Sequence, residues 1–174
     1  MSLTHSPIAG AVLCGCVVAA LMTACSRMGR VVVEDHDGQP CFGIENTVAT
    51  RMGDPELWGL HIETQGDRGY ETVWSFTMAK PVPFPPGRCL RYGQAPAEAR
   101  MDSAPPPLQV GRLYSVGLGA RVKDPSDQTL AYTAEFCVIR SAAGAPRVHE
   151  VRWDEKAGIW DRAACATPSA GSHS

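Results

Sequence analysis

Leu57-Trp58-Gly59-Leu60-His61-Ile62-Glu63-Thr64 and, after a short break, Tyr70-Glu71-Thr72-Val73-Trp74-Ser75-Phe76-Thr77-Met78 decide the fold class. In the first segment Trp58, Leu60, Ile62 and Thr64 alternate with Leu57, Gly59, His61 and Glu63. In the second, Thr72, Trp74, Phe76 and Met78 share one side. A period of two marks a strand with one buried face, because successive side chains leave a pleated backbone on opposite sides. Gln65–Gly69 holds Gly66 and Gly69 and suits a hairpin connection. Trp74 is expected near the core centre. His61 and Glu63 share the other face, where the plain reading is a solvated polar pair and the sharper one an acid–base couple.

The segments on either side carry the same signature. Toward the C-terminus, Pro81-Val82-Pro83-Phe84-Pro85-Pro86 cannot be a central strand, since proline has no ladder donor, and is expected to cross the surface extended. Gly87–Tyr92 reads as a short strand carrying Cys89. Gln94–Pro107, ending in three prolines, reads as a surface excursion. Leu108-Gln109-Val110-Gly111-Arg112-Leu113-Tyr114-Ser115-Val116 then resembles the tyrosine corner of immunoglobulin-like and fibronectin-type sandwiches, in which the tyrosine hydroxyl bonds back to the upstream backbone. A strand follows to Lys123, then a turn over Asp124–Asp127. Leu130–Arg140 is a strand with Tyr132, Ala134, Phe136 and Val138 on one side. Val148–Trp153 and Gly158–Trp160 flank Asp154-Glu155-Lys156-Ala157, a final hairpin across which Trp153 and Trp160 can stack. Gly117 and Gly119 lie mid-strand and allow close packing.

Toward the N-terminus, Val31-Val32-Val33 lies in a strand over Arg30–Glu34. Asp35-His36-Asp37-Gly38 is a turn with the Asp-Gly hairpin signal, more simply a solvated turn than a cation site. Pro40–Asn46 is the next strand and Thr47–Glu56 a loop. About nine short strands and no convincing amphipathic helix predict an all-β fold: an antiparallel β-sandwich, immunoglobulin/fibronectin-like, over residues 31–165. A small barrel is the alternative. Residues 166–174 read as a disordered polar tail.

The first 24 residues contain no Asp, Glu, Lys or Arg, and Ile8–Ala24 is an uncharged, largely apolar run. It suits a signal-peptide core more than a spanning helix. It ends in Leu21-Met22-Thr23-Ala24-Cys25-Ser26, small residues just before a cysteine, the pattern of a bacterial lipobox. Residues 1–24 are then a lipoprotein signal peptide, Cys25 takes the lipid, and residues 25–30 form the tether. Leu21 stands four residues before the cysteine, where such boxes usually carry leucine at three. Cleavage after Val18-Ala19-Ala20, or an uncleaved helix, are the other readings. Several acyl chains on one residue give lasting membrane attachment. Ser26 rather than Asp after the cysteine favours the inner leaflet of the outer membrane over inner-membrane retention.

About 150 residues follow the signal segment, one domain by size. Sixteen Lys and Arg against eighteen Asp and Glu, with no basic block, argue against a nucleic-acid partner. Cys14 and Cys16 fall in the removed segment. Cys41, Cys89, Cys137 and Cys165 remain, an even number in an exported chain, which reads as two disulfides. Of three pairings, Cys41–Cys89 and Cys137–Cys165 are favoured, each expected to join neighbouring strands. No Cys-x-x-Cys spacing suggests zinc. There is no Gly-x-Ser-x-Gly elbow, His-Glu-x-x-His or phosphate loop, and His36, His61 and His149 have no nucleophile near them in sequence. No enzyme activity, cofactor, metal or small-molecule substrate is expected.

The layout resembles a family of small periplasmic lipoproteins that act as immunity proteins against type VI secretion effectors. The resemblance lies in Cys25, Pro40-Cys41-Phe42-Gly43-Ile44, the strand Trp58–Ile62, Phe76, Pro86-Gly87-Arg88-Cys89-Leu90 and Gly111-Arg112-Leu113-Tyr114-Ser115-Val116. It covers Cys25 to Ile139. Gln94–Pro107 is longer than the family pattern, and the hairpin with Cys137 and Cys165 is additional. The resemblance implies binding and blocking a toxic protein effector, such as a lipase or wall hydrolase, with Thr47–Glu56, Lys80–Gly87 and Gln94–Pro107 as contact loops. The rival expectation is a structural or accessory envelope-assembly lipoprotein; a small-ligand carrier is a third.

Overall fold

The two alternating segments form the long hairpin of the domain. In a computed structural model that describes residues 27–124, 127 and 129–166, β3 (Glu56–Gly66) pairs antiparallel with β4 (Gly69–Pro83). Asp67 and Arg68 make the two-residue turn between Gly66 and Gly69. Trp74 and Phe76 are buried, as the alternation predicts. Trp58 departs from it. The pairing slips between Leu57 and Gly59, so that against β7 two steps along β3 match one, from Ala120 to Gly119. Such a bulge reverses the side on which the preceding residues point. Leu57 is therefore fully buried and Trp58 half-exposed. The Pro-rich segment extends β4 rather than leaving it. Its prolines are tolerated because there β4 pairs with β3 alone, at Glu56↔Pro83 and Leu57↔Val82.

The other strands join this hairpin into one curled sheet. They are β1 (Arg27–His36), β2 (Gln39–Ile44), β5 (Cys89–Arg91), β6 (Ala99–Ser103), β7 (Leu113–Arg121), β8 (Thr129–Arg140) and β9 (Pro146–Val151). The order is β5-β2-β1-β8-β7-β3-β4-β6, with β9 also on β8. A separate ribbon pairs β10 (Trp153–Asp154) with β11 (Ile159–Trp160). The fold is all-β, as expected, with two disulfides. The antiparallel expectation is amended in one place. Residues Arg27–Arg30 of β1 run parallel to Thr129–Thr133 of β8, and only then does β1 pair antiparallel with β2. The tether expected over 25–30 is accordingly shorter, since Arg27 already lies in the sheet. Gly29 makes this approach possible: a Cβ there would sit 2.2 Å from the Tyr132 ring.

Because β1 belongs to both halves, the sheet folds over on itself in the manner of a sandwich. Val31, Val33, Phe42 and Ile44 from one layer meet Trp74, Phe76, Tyr114 and Phe136 from the other. Phe42 and Phe136 lie 5.3 Å apart between ring centroids, and Phe136 stacks on Tyr114 at 5.4 Å. Burying an aromatic or aliphatic side chain of this size contributes about 1.5–3 kcal/mol each. The Asp37-Gly38 turn joins β1 to β2 with both residues at positive φ, 56° and 81°, the geometry for which Asp-Gly is selected.

The tyrosine corner is formed. The backbone N–H of Gln109 donates to Tyr114 Oη at 2.8 Å. Arg112 Nε donates to Thr64 Oγ1 at 2.8 Å, and that hydroxyl donates to the Leu113 carbonyl at 2.9 Å, tying the entry of β7 to β3. Tyr114→Phe keeps the packing and orphans the Gln109 amide, so it should cost about 1 kcal/mol in urea unfolding. An unchanged midpoint would show that the hydroxyl contributes nothing there.

Two segments are more ordered than their composition suggests. Thr47–Glu56 contains α1 (Val48–Met52), closed by reciprocal bonds between Thr47 and Thr50. Gln94–Pro107 contains β6, which pairs with β4 from Ser75 to Met78. Cys25 and the signal segment lie outside the described residues, as do most of the C-terminal tail and part of the Asp124–Asp127 turn. Among the described residues no helix is long and apolar enough to cross a membrane.

Candidate functional site

The site begins where β1 and β9 part company along the same edge of β8. β1 occupies that edge as far as Thr133 and then bends toward the other layer. β9 takes it over from Glu135, which pairs with Val151. The fork between them is a cleft of about 580 Å³, floored by Ser115, Thr133, Ala134 and Glu135. The chain leaving β9 turns back as the β10–β11 ribbon, which supplies one wall. Trp153 and Trp160 pair directly across that ribbon, edge to face with centroids 5.6 Å apart. They remain 50% and 48% exposed, so each indole retains a face for another molecule.

Charge lines the rest of the cleft in fixed pairs. Glu150 fills the fork, its side chain 5% exposed. It accepts from Arg30 Nη2 at 2.6 Å and from Arg152 Nη2 at 3.1 Å. Arg30 also donates to Glu45 at 3.0 Å. Those bonds, to Glu150 first and despite partial burial, hold the Arg30 guanidinium above its ordinary range. Arg162 makes a two-pronged contact with Glu135, at 2.7 and 2.8 Å, which raises its pKa likewise. Bidentate arginine–carboxylate pairs fix geometry as well as charge. The ribbon is anchored on its far side by Cys137–Cys165, Cα atoms 5.7 Å apart, and by His149 against Asp161 at 3.5 Å. Chemically the arrangement can grip: two indole faces for stacking or apolar contact, and oriented guanidinium and carboxylate groups beside them.

The residues singled out in the sequence are placed as follows. Cys41–Cys89 and Cys137–Cys165 are disulfides in the favoured pairing. The first joins neighbouring strands β2 and β5. The second joins β8 to a 3-10 turn, Ala163–Cys165, rather than to a strand. His61 covers Gly117, where a Cβ would fall 2.1 Å from the ring, so the close packing read at Gly117 is an imidazole filling that space. In the Asp35–Gly38 turn, Asp35 accepts from the Gly38 amide at 2.8 Å and from Arg147. Ligand atoms of His36, Cys41 and Cys89 lie within 4.8 Å of one another, and the disulfide uses both sulfurs. Of the three contact loops, two converge: the Phe84 amide donates to the Pro55 carbonyl at 2.8 Å. Gln94–Pro107 carries the edge strand β6 beside β4 and is held by Tyr92 Oη donating to the Pro106 carbonyl at 2.7 Å. The cleft was visible in sequence only as a tryptophan pair across a ribbon. Its central ion pair joins Arg30 and Glu150, 120 residues apart in sequence.

The fold and the cleft together define an all-β, doubly disulfide-bonded domain with an aromatic-walled, ion-paired groove. No known family, curated protein or solved structure matches the chain.

Proposed function

We propose that this chain is a lipid-anchored lipoprotein of the periplasm, held through Cys25 to the inner leaflet of the outer membrane, that binds and neutralises a toxic protein effector of type VI secretion. The observation that carries the proposal is the cleft beneath Trp153 and Trp160. Tryptophan and arginine are the side chains most enriched at the energetic centres of protein interfaces. Here both tryptophans are half-exposed on a ribbon that is braced by a disulfide, and three arginines are already oriented by carboxylates. Rigid presentation lowers the ordering cost of association. The order of the Pro40–Ile44, Pro86–Leu90 and Gly111–Val116 motifs supports the same family reading. The cleft also moves the expected contact surface to the C-terminal ribbon, one of the two regions that depart from the family pattern.

Protection from a delivered toxin calls for nanomolar binding or better, about −12 kcal/mol. Cells exporting the product of the adjacent gene should survive when this protein is co-expressed and die without it. Equal survival in both would contradict neutralisation.

A further inference from the structure

We propose that the end of the sandwich carrying α1 sits on the lipid bilayer, with Val48 and Met52 immersed in its interfacial layer. The inference rests on the lipid anchor at Cys25. Arg27 is already paired with Thr129, so Ser26 is the one residue between Cys25 and the sheet. Two extended residues span at most about 7 Å. That is comparable to the thickness of one headgroup layer. A lipid on Cys25 therefore brings this end of the domain into contact with the membrane instead of letting it swing on a leash.

The end so placed is the one with exposed apolar side chains. The Gly53 carbonyl, at the close of α1, accepts from the Lys123 amide at 2.7 Å, linking α1 to the β7–β8 connection that leads to Thr129 and Arg27. Within α1, Thr50 is buried and holds the turn inward. Val48 and Met52, four residues apart and so on one face, are 67% and 80% exposed. Leu130 and Met28, beside Arg27, are 47% and 60% exposed. Lys123 stays near Asp54 and Glu56 at 3.8 and 3.7 Å and Arg51 of α1 donates to Asn46, so this end carries charge of both signs around its apolar side chains. The cleft floor at Thr133–Glu135 lies three to five residues along β8 from Leu130, about 10–17 Å up. It stays open to the side, while the Thr47–Glu56 loop and the adjoining Pro55–Phe84 contact face the lipid.

The test uses the chain from Cys25 onward, with the four other cysteines in their disulfides, coupled through Cys25 to a maleimide lipid in phosphatidylethanolamine/phosphatidylglycerol vesicles. Natural lipidation is not needed for it. A water-soluble oxidant converts exposed methionines to sulfoxides, read residue by residue by mass spectrometry. Met52 should oxidise at least five-fold more slowly on vesicles than free, while Met101, 43% exposed on the edge strand β6, is unchanged. Val48→Asp, or a twenty-residue Gly/Ser insertion after Ser26, should return Met52 to its free rate. Equal Met52 rates on and off vesicles would overturn the seating, as would protection that appears only when a protein partner is added to the free domain. Absence of acyl groups on Cys25 of the cell-derived protein would instead remove the anchor reading, a result separate from the vesicle measurement.

Discussion

A variant carrying Trp153→Ala and Trp160→Ala is expected to lose at least 30-fold in affinity for the effector while unfolding at nearly the native temperature. The indoles meet each other across β10–β11, line the cleft and are half-exposed. They are absent from the core built on Trp74, Phe42 and Phe136, so their removal costs the fold little. Truncating a tryptophan at the centre of an interface typically costs 2 kcal/mol or more, about 30-fold. Titration calorimetry of native and variant domains with purified effector would measure it, with differential scanning of each as the control for folding. An affinity within three-fold of native would move the interface off the ribbon.

The second large effect concerns the disulfides. Replacing Cys41 and Cys89 by serine opens a loop of 48 residues. The chain-entropy account puts the loss at about 4 kcal/mol, which for a domain of this size lowers Tm by about 8–16 °C. Cys137→Ser with Cys165→Ser opens 28 residues and costs about 3.5 kcal/mol on the same account. The two pairs should differ in a second readout. Cys165 anchors the segment that follows β11 and places Arg162 against Glu135. Its loss should therefore weaken effector binding as well as stability, whereas loss of Cys41–Cys89, on the far side of the sheet, should leave the affinity of the folded fraction unchanged. Equal effects on binding would mean that the ribbon is not positioned by its disulfide.

The period-two pattern made most strands legible, because burial of one face imposes alternation wherever a strand borders the core. Tyr114 was legible for a related reason: a tyrosine three residues after a glycine at a strand entry has a defined acceptor geometry. Trp58 was misplaced because a bulge is a property of the pairing, not of either strand alone. α1 escaped notice because five residues give no helical period, and its cap uses Thr50 where Glu or Gln is the usual partner of Thr47. The parallel run of β1 on β8 depends on Gly29 yielding to Tyr132, a contact between residues 103 apart in sequence. The cleft was illegible for the same reason. Glu150 reads as one more polar residue in a strand until the fork brings Arg30 to it.

Neutralisation by direct binding is most directly tested by co-purification of the tagged domain, residues 27–174, with the product of the adjacent gene. A one-to-one complex that survives washing at nanomolar concentration and abolishes that product's toxicity is the expected result. Recovery of resident envelope proteins in its place, with no toxicity to neutralise, would contradict it and assign the domain to envelope assembly.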